Sequence, residues 1–205
     1  MEYIRERDGT MEGRHKILKI GRVATGEWLH IDKMILTDPR GIERTWESAG
    51  RNEAKGAVAV VATLKPSNQL VLVSQFRPPA QAEVIEFPAG LIDRIEEIGD
   101  TALRELKEET GYKGKIIKIL PPSYSSPGLS GETIHIAIAE IDEAIEENRN
   151  PTPEPDEGEF IETILVPLDN LSDYLLKSYE KGLNLDSKVV SFALGMDFRR
   201  LYPPK

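Results

Sequence analysis

The chain has 205 residues, which is enough for one hydrophobic core with a small appended subdomain. Its 26 Lys and Arg against 35 Asp and Glu give a net charge of −9 without any basic block, which excludes nucleic-acid polymers and anionic membranes as expected partners. The absence of cysteine excludes disulfides and thiolate chemistry, and no apolar run approaches about 18 residues, so we expect a cytoplasmic protein, or a nuclear one in a eukaryote.

The N-terminal part of the chain predicts a small sheet preceded by a tail. Residues 1–15 are polar and show no pattern, so we expect a flexible tail there. Residues 16–55 predict an antiparallel β-meander, with strands near residues 17–20, 28–35 and 42–48 and a type I turn at residues 38–41. So small a sheet buries too little apolar surface to be stable alone. We therefore expect the meander to dock on the main domain or on a second subunit.

Residues 56–205 predict one α/β domain. Apolar runs at residues 56–64 and 69–76, separated by a polar turn, predict a hairpin that is buried on both faces. The acidic, proline-containing segment 142–158 predicts a long surface loop. Further strands are expected at residues 83–87, 115–120, 133–141 and 160–166, and helices at residues 101–110, 168–180 and 187–201.

The helix predicted at residues 101–110 concentrates acidic side chains on one face. Its composition is strongly helix-forming, and Gly111 stands where a left-handed C-terminal cap is expected. At about 100° per residue, its apolar side chains lie largely opposite its acidic ones. The acidic residues that share a face, at spacings i, i+3 and i+4, are Glu105, Glu108 and Glu109.

Like charges at this spacing destabilise a helix by roughly 0.2–0.5 kcal/mol per pair unless a cation lies among them. Carboxylate oxygens are the ligands of Mg²⁺, which proteins hold through one or two carboxylates together with the phosphates of a substrate. The pattern is therefore compatible with a metal site that handles phosphate. It is also the pattern of a solvated acidic face neutralised by Arg104 and Lys107, which is the commoner case for charged helix faces.

The residue spacing around this helix resembles the signature box of the Nudix hydrolases at each fixed position, which here are Gly90, Glu96, Arg104, Glu105, Leu106, Glu108, Glu109 and Gly111. The resemblance implies an α/β/α sandwich with a mixed central sheet. It also implies that water attacks a diphosphate with the help of Mg²⁺, or of Mn²⁺ in its place. The chain departs from close members at residues 94–100, where those members have a glycine in place of Ile95 and a Thr-Pro helix start.

Sequence runs outside the box resemble the ADP-ribose and ADP-sugar diphosphatase branch of this family, namely residues 44–48, 75–79, 86–93, 127–130 and 158–160. Pro127, about 16 residues beyond Gly111, resembles the mark of that branch. The resemblance implies hydrolysis of ADP-ribose to AMP and ribose 5-phosphate by a domain-swapped homodimer, whose N-terminal sheet crosses to the partner. Two alternatives stay open: clean-up of oxidised nucleoside diphosphates, and a non-catalytic ADP-ribose sensor, against which the complete set of carboxylates argues.

The same resemblance implies roles for the acidic residues. The metal would be bound by the Ala89 carbonyl, Glu105 and Glu109, with Glu86 assisting. The catalytic residues would be Glu159 as the base, Glu108, and Arg104, which braces a carboxylate.

The choice of Glu159 as the base is made against Glu162, which lies three residues further along the predicted strand. Side chains three apart on a strand point to opposite faces, so only one of the two can face the metal. We expect it to be Glu159, which follows Gly158 at the end of the long loop. A plain strand-end role for Glu159 is the alternative.

The resemblance also implies a set of substrate-binding residues, which are Trp28, Trp46, Glu47, Arg51, Arg77 and Leu91. The adenine would lie between Trp46 and the partner's Trp28, with Glu47 reading the base. The two arginines would hold the diphosphate through their guanidinium groups. Plainer roles stay open here too, since tryptophans more often pack in a core and exposed arginines are more often solvated surface charges.

Overall fold

The computed structural model describes residues 14–52, 56–93 and 95–202. The predicted tail at residues 1–15 lies outside the described residues except for its last two, and Arg94 lies outside them as well. The chain divides into two compact units, Met1–Glu53 with Tyr124–Glu132, and Ala54–Ser123 with Thr133–Lys205. Within the described ranges, no helix has both the length and the apolar character needed to cross a membrane.

The first unit contains a three-stranded antiparallel sheet in the order β1 (Lys16–Thr25), β2 (Leu29–Thr37) and β3 (Glu43–Arg51), which confirms the predicted meander. The turn between β2 and β3 forms because the Asp38 carboxylate accepts hydrogen bonds from the N–H groups of Arg40 (2.9 Å) and Ile42 (3.0 Å). β2 and β3 pair without a register shift, whereas the pairing of β1 with β2 has two. Neighbouring side chains on β3 therefore alternate regularly between the two faces of the sheet.

The sheet of the second unit has nine strands in the described residues: β4 (Ala57–Lys65), β5 (Gln69–Arg77), β6 (Ala82–Glu86), β7 (Ala89–Leu91), β8 (Lys115–Ile119), β9 (Ser123–Tyr124), β10 (Thr133–Asp142), β11 (Ile161–Pro167) and β12 (Asn184–Leu185). Its main path runs β12-β6-β5-β4-β10-β8, with β11 paired to β5 and β7 paired to β4. The pairs β4–β10 and β6–β12 are parallel, and the neighbouring pairs β4–β5, β5–β6 and β5–β11 are antiparallel. The predicted mixed sheet is thus confirmed.

Three helices cover this sheet: α1 (Ile98–Thr110), α2 (Leu171–Glu180) and α3 (Ser187–Leu201). Alternate residues of β4 belong to different cores: Val58 and Val60 pack with α1, whereas Ala59 and Val61 pack with α2 and α3. Because alternate residues of a strand face opposite sides of a sheet, α1 lies on one side and the other two helices on the other. This arrangement confirms the α/β/α sandwich and explains why the β4–β5 hairpin is apolar throughout.

The observed elements differ from the predicted ones mainly at their ends. α1 begins at Ile98, three residues before the predicted start, after an extended Glu97 that caps it without a side-chain hydrogen bond. The segment 142–158 contains a single 3₁₀ turn at Glu146–Asn148, and the side chain of Asn148 is buried there. The Asn148 amide donates to the carbonyls of Lys113 and Asp142, both at 2.9 Å, so this long loop is fastened to the sheet.

We predict that Gly111→Ala destabilises the protein more than Gly182→Ala does. Both glycines have a positive φ, 76° and 91° respectively, but a Cβ at Gly111 would overlap the backbone of Thr152, whereas a Cβ at Gly182 has open space. Urea unfolding should give a loss of about 1 kcal/mol for Gly182→Ala and about 2–4 kcal/mol for Gly111→Ala. Equal losses would show that the contact of the α1 cap with the 142–158 loop contributes nothing.

Candidate active site

The acidic residues of the second unit are brought together by α1 and by the turn from β6 to β7. Ala102 and Leu106 are fully buried in the core, which holds α1 against the sheet and directs its acidic face toward β7. The carboxylate of Glu109 accepts a hydrogen bond from the Ala89 N–H at 3.1 Å. Glu109 is only 4% exposed, so this contact connects the end of α1 to the start of β7 in the protein interior.

Gly90 lies directly against the carboxylate of Glu105. A Cβ at Gly90 would overlap the Glu105 carboxyl atoms, so the absence of a side chain is what lets this carboxylate lie over β7. Because those atoms form the far end of a flexible side chain, a larger residue at position 90 would displace the carboxylate rather than the backbone. The glycine of the predicted box therefore has a spatial role in setting the position of Glu105.

Arg104 is the centre of an ion-pair network on the outer side of α1. Its guanidinium donates to both oxygens of Glu96 (3.1 Å each), to Glu105 (2.9 Å) and to Glu108 (2.8 Å). Thr101 also donates to Glu96, at 3.0 Å. The hydrogen bonds with Glu96 raise the pKa of Arg104 above its ordinary value and, reciprocally, hold the pKa of Glu96 below its own. Arg104 thus remains charged and relieves the repulsion among the glutamates of α1.

Arg77 and Glu86 form a second, two-pronged ion pair at the ends of β5 and β6. The Arg77 Nε and Nη2 atoms donate to the two Glu86 oxygens at 2.7 and 2.9 Å. Glu86 is buried, and its hydrogen bonds raise the pKa of Arg77. An arginine whose donors already match the two oxygens of a carboxylate has the geometry needed for a phosphate.

The carboxylates nearest β7 are electrostatically unfavourable without a cation. Burial, together with the charges of Glu105 and Glu159, raises the pKa of Glu109 to about 8, against the opposing effects of the Ala89 N–H and the charge of Arg77. Burial also raises the pKa of Glu105, against the opposing effect of Arg104. Two adjacent carboxylates that resist ionisation are a chemically suitable donor set for a divalent cation, whose charge would reverse the penalty.

In the described part of the chain, however, no group of three His, Asp or Glu side chains is arranged so that it could hold a metal ion. Arg104 engages Glu105 and Glu108 instead, and Arg77 engages Glu86. The predicted metal ligands are therefore neighbours of one another, but some of their oxygens are held by the two arginines.

Glu162 and Thr163 of β11 direct their side chains to opposite sides of the sheet. Glu162 lines a cavity of about 520 Å³ together with Tyr174 of α2, on the side away from α1. Thr163, the next residue of β11, instead directs its hydroxyl to the Glu109 carbonyl at 3.5 Å. Glu159 lies close enough to the acidic site for its charge to raise the pKa of Glu109.

The first unit carries the remaining predicted residues except Arg77 and Leu91. Trp28 and Trp46 are 73% and 56% exposed, so neither tryptophan is a core residue of this chain. The Trp46 indole donates to the Gly128 carbonyl at 3.1 Å, and Arg51 donates to Glu132 at 2.6 Å. Leu91, at the end of β7 in the second unit, is 40% exposed.

Glu47 is adjacent to Trp46 on β3, so its side chain points to the opposite face of the sheet. The backbone groups of Glu47 point to the outer edge of β3, as a neighbouring contact indicates. The Ala49 N–H is directed away from β2 and donates to the Leu129 carbonyl at 2.9 Å. Since Glu47 is two residues from Ala49 on the same strand, its N–H and C=O also face the outer edge of β3.

The family of the chain follows from a match to a known domain over most of the second unit. The Nudix domain matches residues 54–184, more than half of the chain. The chain belongs to the Nudix family. Nudix hydrolases generally use divalent metal ions. The box predicted from the sequence, the α/β/α sandwich and the acidic site on α1 are thus parts of one Nudix domain.

Two Nudix relatives are similar over nearly the whole chain. A protein of Saccharomyces cerevisiae named ADP-ribose pyrophosphatase is 37% identical over 201 residues, 94% of this chain and 85% of the relative. A protein of Mus musculus named ADP-sugar pyrophosphatase is 36% identical over 200 residues, 94% of this chain and 92% of the relative. A crystal structure described as an ADP compounds hydrolase has the same fold, with a TM-score of 0.67 and 22% identity over 96% of this chain and 100% of that one.

Several residues around these sites carried no specific role in the sequence analysis. Glu96 was only one position of the box, but it is the bidentate partner of Arg104. Glu132 pairs with Arg51 across 81 positions, and no local pattern connects residues that far apart. Helical periodicity could not have found the contact of Glu96, since the residue lies before α1 and eight positions before Arg104.

We predict that Glu109→Gln stabilises the metal-free protein at high pH. The pKa of Glu109 is about 8 in the fold and near 4.5 in the unfolded chain, so wild-type stability declines as the pH rises between these values. A glutamine resembles the protonated acid and avoids this decline. In EDTA, the variant should match wild type near pH 5 and exceed it by about 4 kcal/mol near pH 9, since about 3 pH units lie between pH 5 and the folded pKa and each corresponds to about 1.4 kcal/mol.

The comparison requires unfolding curves of both proteins at each pH, then repeated with Mg²⁺ in place of EDTA. Mg²⁺ should stabilise the wild type at high pH and have little effect on the variant. A variant that is less stable than wild type at all pH values would contradict the electrostatic account.

Proposed function

We propose that this Nudix protein hydrolyses the diphosphate of ADP-ribose, and of related ADP-sugars, to AMP and ribose 5-phosphate. The observation that carries the proposal is the pair of neighbouring carboxylates of Glu105, which is half-buried, and Glu109, which is buried, next to β7 in a chain that belongs to the Nudix family. The names of two relatives at 36–37% identity, each matched over 94% of this chain, support the choice of substrate.

We propose Mg²⁺ as the metal, with Mn²⁺ as a possible substitute. The residues that would hold it are Glu105, Glu109 and the Ala89 carbonyl, with Glu86 assisting. Such an ion neutralises charge on a diphosphate and lowers the pKa of a bound water. The raised pKa values of Glu105 and Glu109 fit this role, because these groups gain most from a nearby positive charge.

The protein residues prepare the site for this chemistry. Arg104 orients Glu105 and Glu108 and is itself fixed by Glu96. Arg77 holds the diphosphate, exchanging its carboxylate partner for phosphate oxygens of similar geometry.

Glu159 is the proposed base that takes the proton from the attacking water. Its support is electrostatic and topological: it influences Glu105 and Glu109, it lies before β11, and its competitor Glu162 faces the α2 side of the sheet. The Glu159 carboxylate accepts a hydrogen bond from the Asp156 N–H at 3.3 Å, so it belongs to the turn that ends the long acidic loop.

We propose that the first unit binds the adenine, with Arg51 holding the diphosphate. The backbone edge of Glu47 reads the base, and Trp46 stacks on it. Trp28 of the same chain cannot complete this stack. Asn52 pairs with Trp28 and lies six residues beyond Trp46, which places the two tryptophans about 20 Å apart along the sheet.

A homodimer resolves this distance, since the partner's Trp28 can then lie opposite Trp46. Exposed apolar side chains on the sheet of the first unit support a partner, among them Ile17, Leu18, Ile20, Val23, Leu29 and Ile31. The cytoplasmic location expected from the sequence stays a prediction.

We predict that the purified protein with Mg²⁺ releases AMP and ribose 5-phosphate from ADP-ribose, and that Glu159→Gln lowers kcat by roughly 10²–10⁴-fold with little change in KM. Glu162→Gln, a matched change on the other face of the sheet, should stay near wild type. The measurement is product formation over a panel of ADP-sugars, NADH and oxidised nucleoside diphosphates, at several pH values.

Each alternative has its own result in this panel. Preference for oxidised nucleoside diphosphates would replace the proposed substrate, and ADP-ribose binding without turnover would identify a sensor. Greater damage from Glu162→Gln than from Glu159→Gln would reject the proposed base.

We predict a dimer in solution, and we expect Trp28→Ala to raise KM for ADP-ribose while leaving kcat nearly unchanged, because stacking is made equally in the ground and transition states. Light scattering measures the molecular mass of the particle in solution, and steady-state kinetics measure KM and kcat separately. A fully active monomer would rule out the cross-subunit adenine site.

A further inference from the structure

The position of Trp28 is not explained by packing. Trp28 lies in the turn of residues 26–29 that joins β1 to β2, and its side chain is 73% exposed. The turn has a single backbone hydrogen bond of its own in the described contacts, from the Gly26 N–H to the Leu29 carbonyl at 2.7 Å. Something else must therefore hold the backbone that presents this indole.

Asn52 supplies the missing contacts. Its side-chain amide donates to the carbonyls of Gly26 (3.0 Å) and Glu27 (2.8 Å), and its backbone N–H donates to the carbonyl of Trp28 (3.0 Å). One residue thus satisfies three consecutive carbonyls of the turn. The backbone bond extends the β2–β3 ladder by one step, while the two side-chain bonds reach round the turn.

His30 fixes the orientation of the Asn52 amide. The His30 Nδ1 lies 3.0 Å from the Asn52 oxygen, so Nδ1–H donates to that oxygen and leaves the amide NH₂ to face the two carbonyls. The reverse orientation would set the amide oxygen against two carbonyl oxygens. The His30 ring itself lies over Gly50, its partner across β2 and β3, where a Cβ would come within 2.5 Å of Nε2.

We infer that Asn52, oriented by His30 over Gly50, is a positioning residue that sets adenine affinity by ordering the turn of Trp28. The inference rests on the proposed function, because it takes Trp28 to stack on the base. Asn52 acts only through the turn, so its loss leaves the chemical step intact. Without the Asn52 side chain, the turn must be ordered when the ligand binds. The backbone entropy lost in ordering even one residue is enough to raise KM by roughly three- to tenfold.

The hydrogen bonds of Asn52 to the turn and to His30 form a clamp on the turn. The test uses variants that disturb this clamp at different points. Asn52→Ala removes both side-chain donors, and Asn52→Asp keeps the shape and the acceptor for His30 but loses the same donors. Gly50→Ala displaces His30 without touching the turn. Gly21→Ala is the matched control, since it lies on β1 of the same sheet and its Cβ would meet nothing within 4 Å.

Two readouts are measured. Steady-state kinetics with ADP-ribose should show KM raised about three- to tenfold for Asn52→Ala, Asn52→Asp and Gly50→Ala, with kcat and the Gly21→Ala control unchanged. Fluorescence anisotropy is measured without ligand in a Trp46→Phe background. The chain has two tryptophans, so Trp28 is then the one that remains. The same three substitutions should lower the anisotropy of Trp28.

A double variant separates this inference from the proposed function. If Asn52 acts through Trp28, adding Asn52→Ala to Trp28→Ala should raise KM no further. Unchanged Trp28 anisotropy in Asn52→Ala overturns the clamp, as does an additive KM effect or a fall in kcat alone. If Trp28→Ala itself leaves KM unchanged, the stacking role in the proposed function fails, while the anisotropy still decides whether Asn52 orders the turn.

Discussion

The burial of the Glu109 carboxylate between α1 and β7 is the constraint on which the acidic site depends. A buried carboxylate is costly, and the Ala89 N–H and the charge of Arg77 offset only part of that cost. The fold tolerates this because Ala102 and Leu106 secure α1 in the core next to it. The cost of the buried carboxylate is therefore borne by the packing of a single helix, and the position of Glu109 depends on how well that helix is anchored.

Two arginines form ion pairs with other glutamates near the site. Arg104 gathers the outer glutamates of α1, and Arg77 gathers Glu86 at the end of β6. These pairs explain why the glutamates can be close together without the helix unfolding. Some of the paired oxygens belong to Glu105 and Glu86, which are among the predicted metal ligands.

The sequence allowed the fold and the acidic face to be predicted because both follow from short-range periodicity. The alternation in β4 and β10 reflects burial on two faces, and the spacing of Glu105, Glu108 and Glu109 follows from the helical repeat. Contacts between distant segments have no such signal. The pairing of Arg51 with Glu132 and the grip of Asn52 on the turn before β2 depend on how strands are juxtaposed, so they became visible only in three dimensions.

The closeness of Gly90 to Glu105 has a consequence at the level of the gene. Every amino-acid replacement of a glycine introduces a Cβ, and at this position that atom displaces a carboxylate at the end of a flexible chain, not the backbone. All missense alleles at codon 90 therefore share one physical effect at the site, a displaced Glu105 carboxylate.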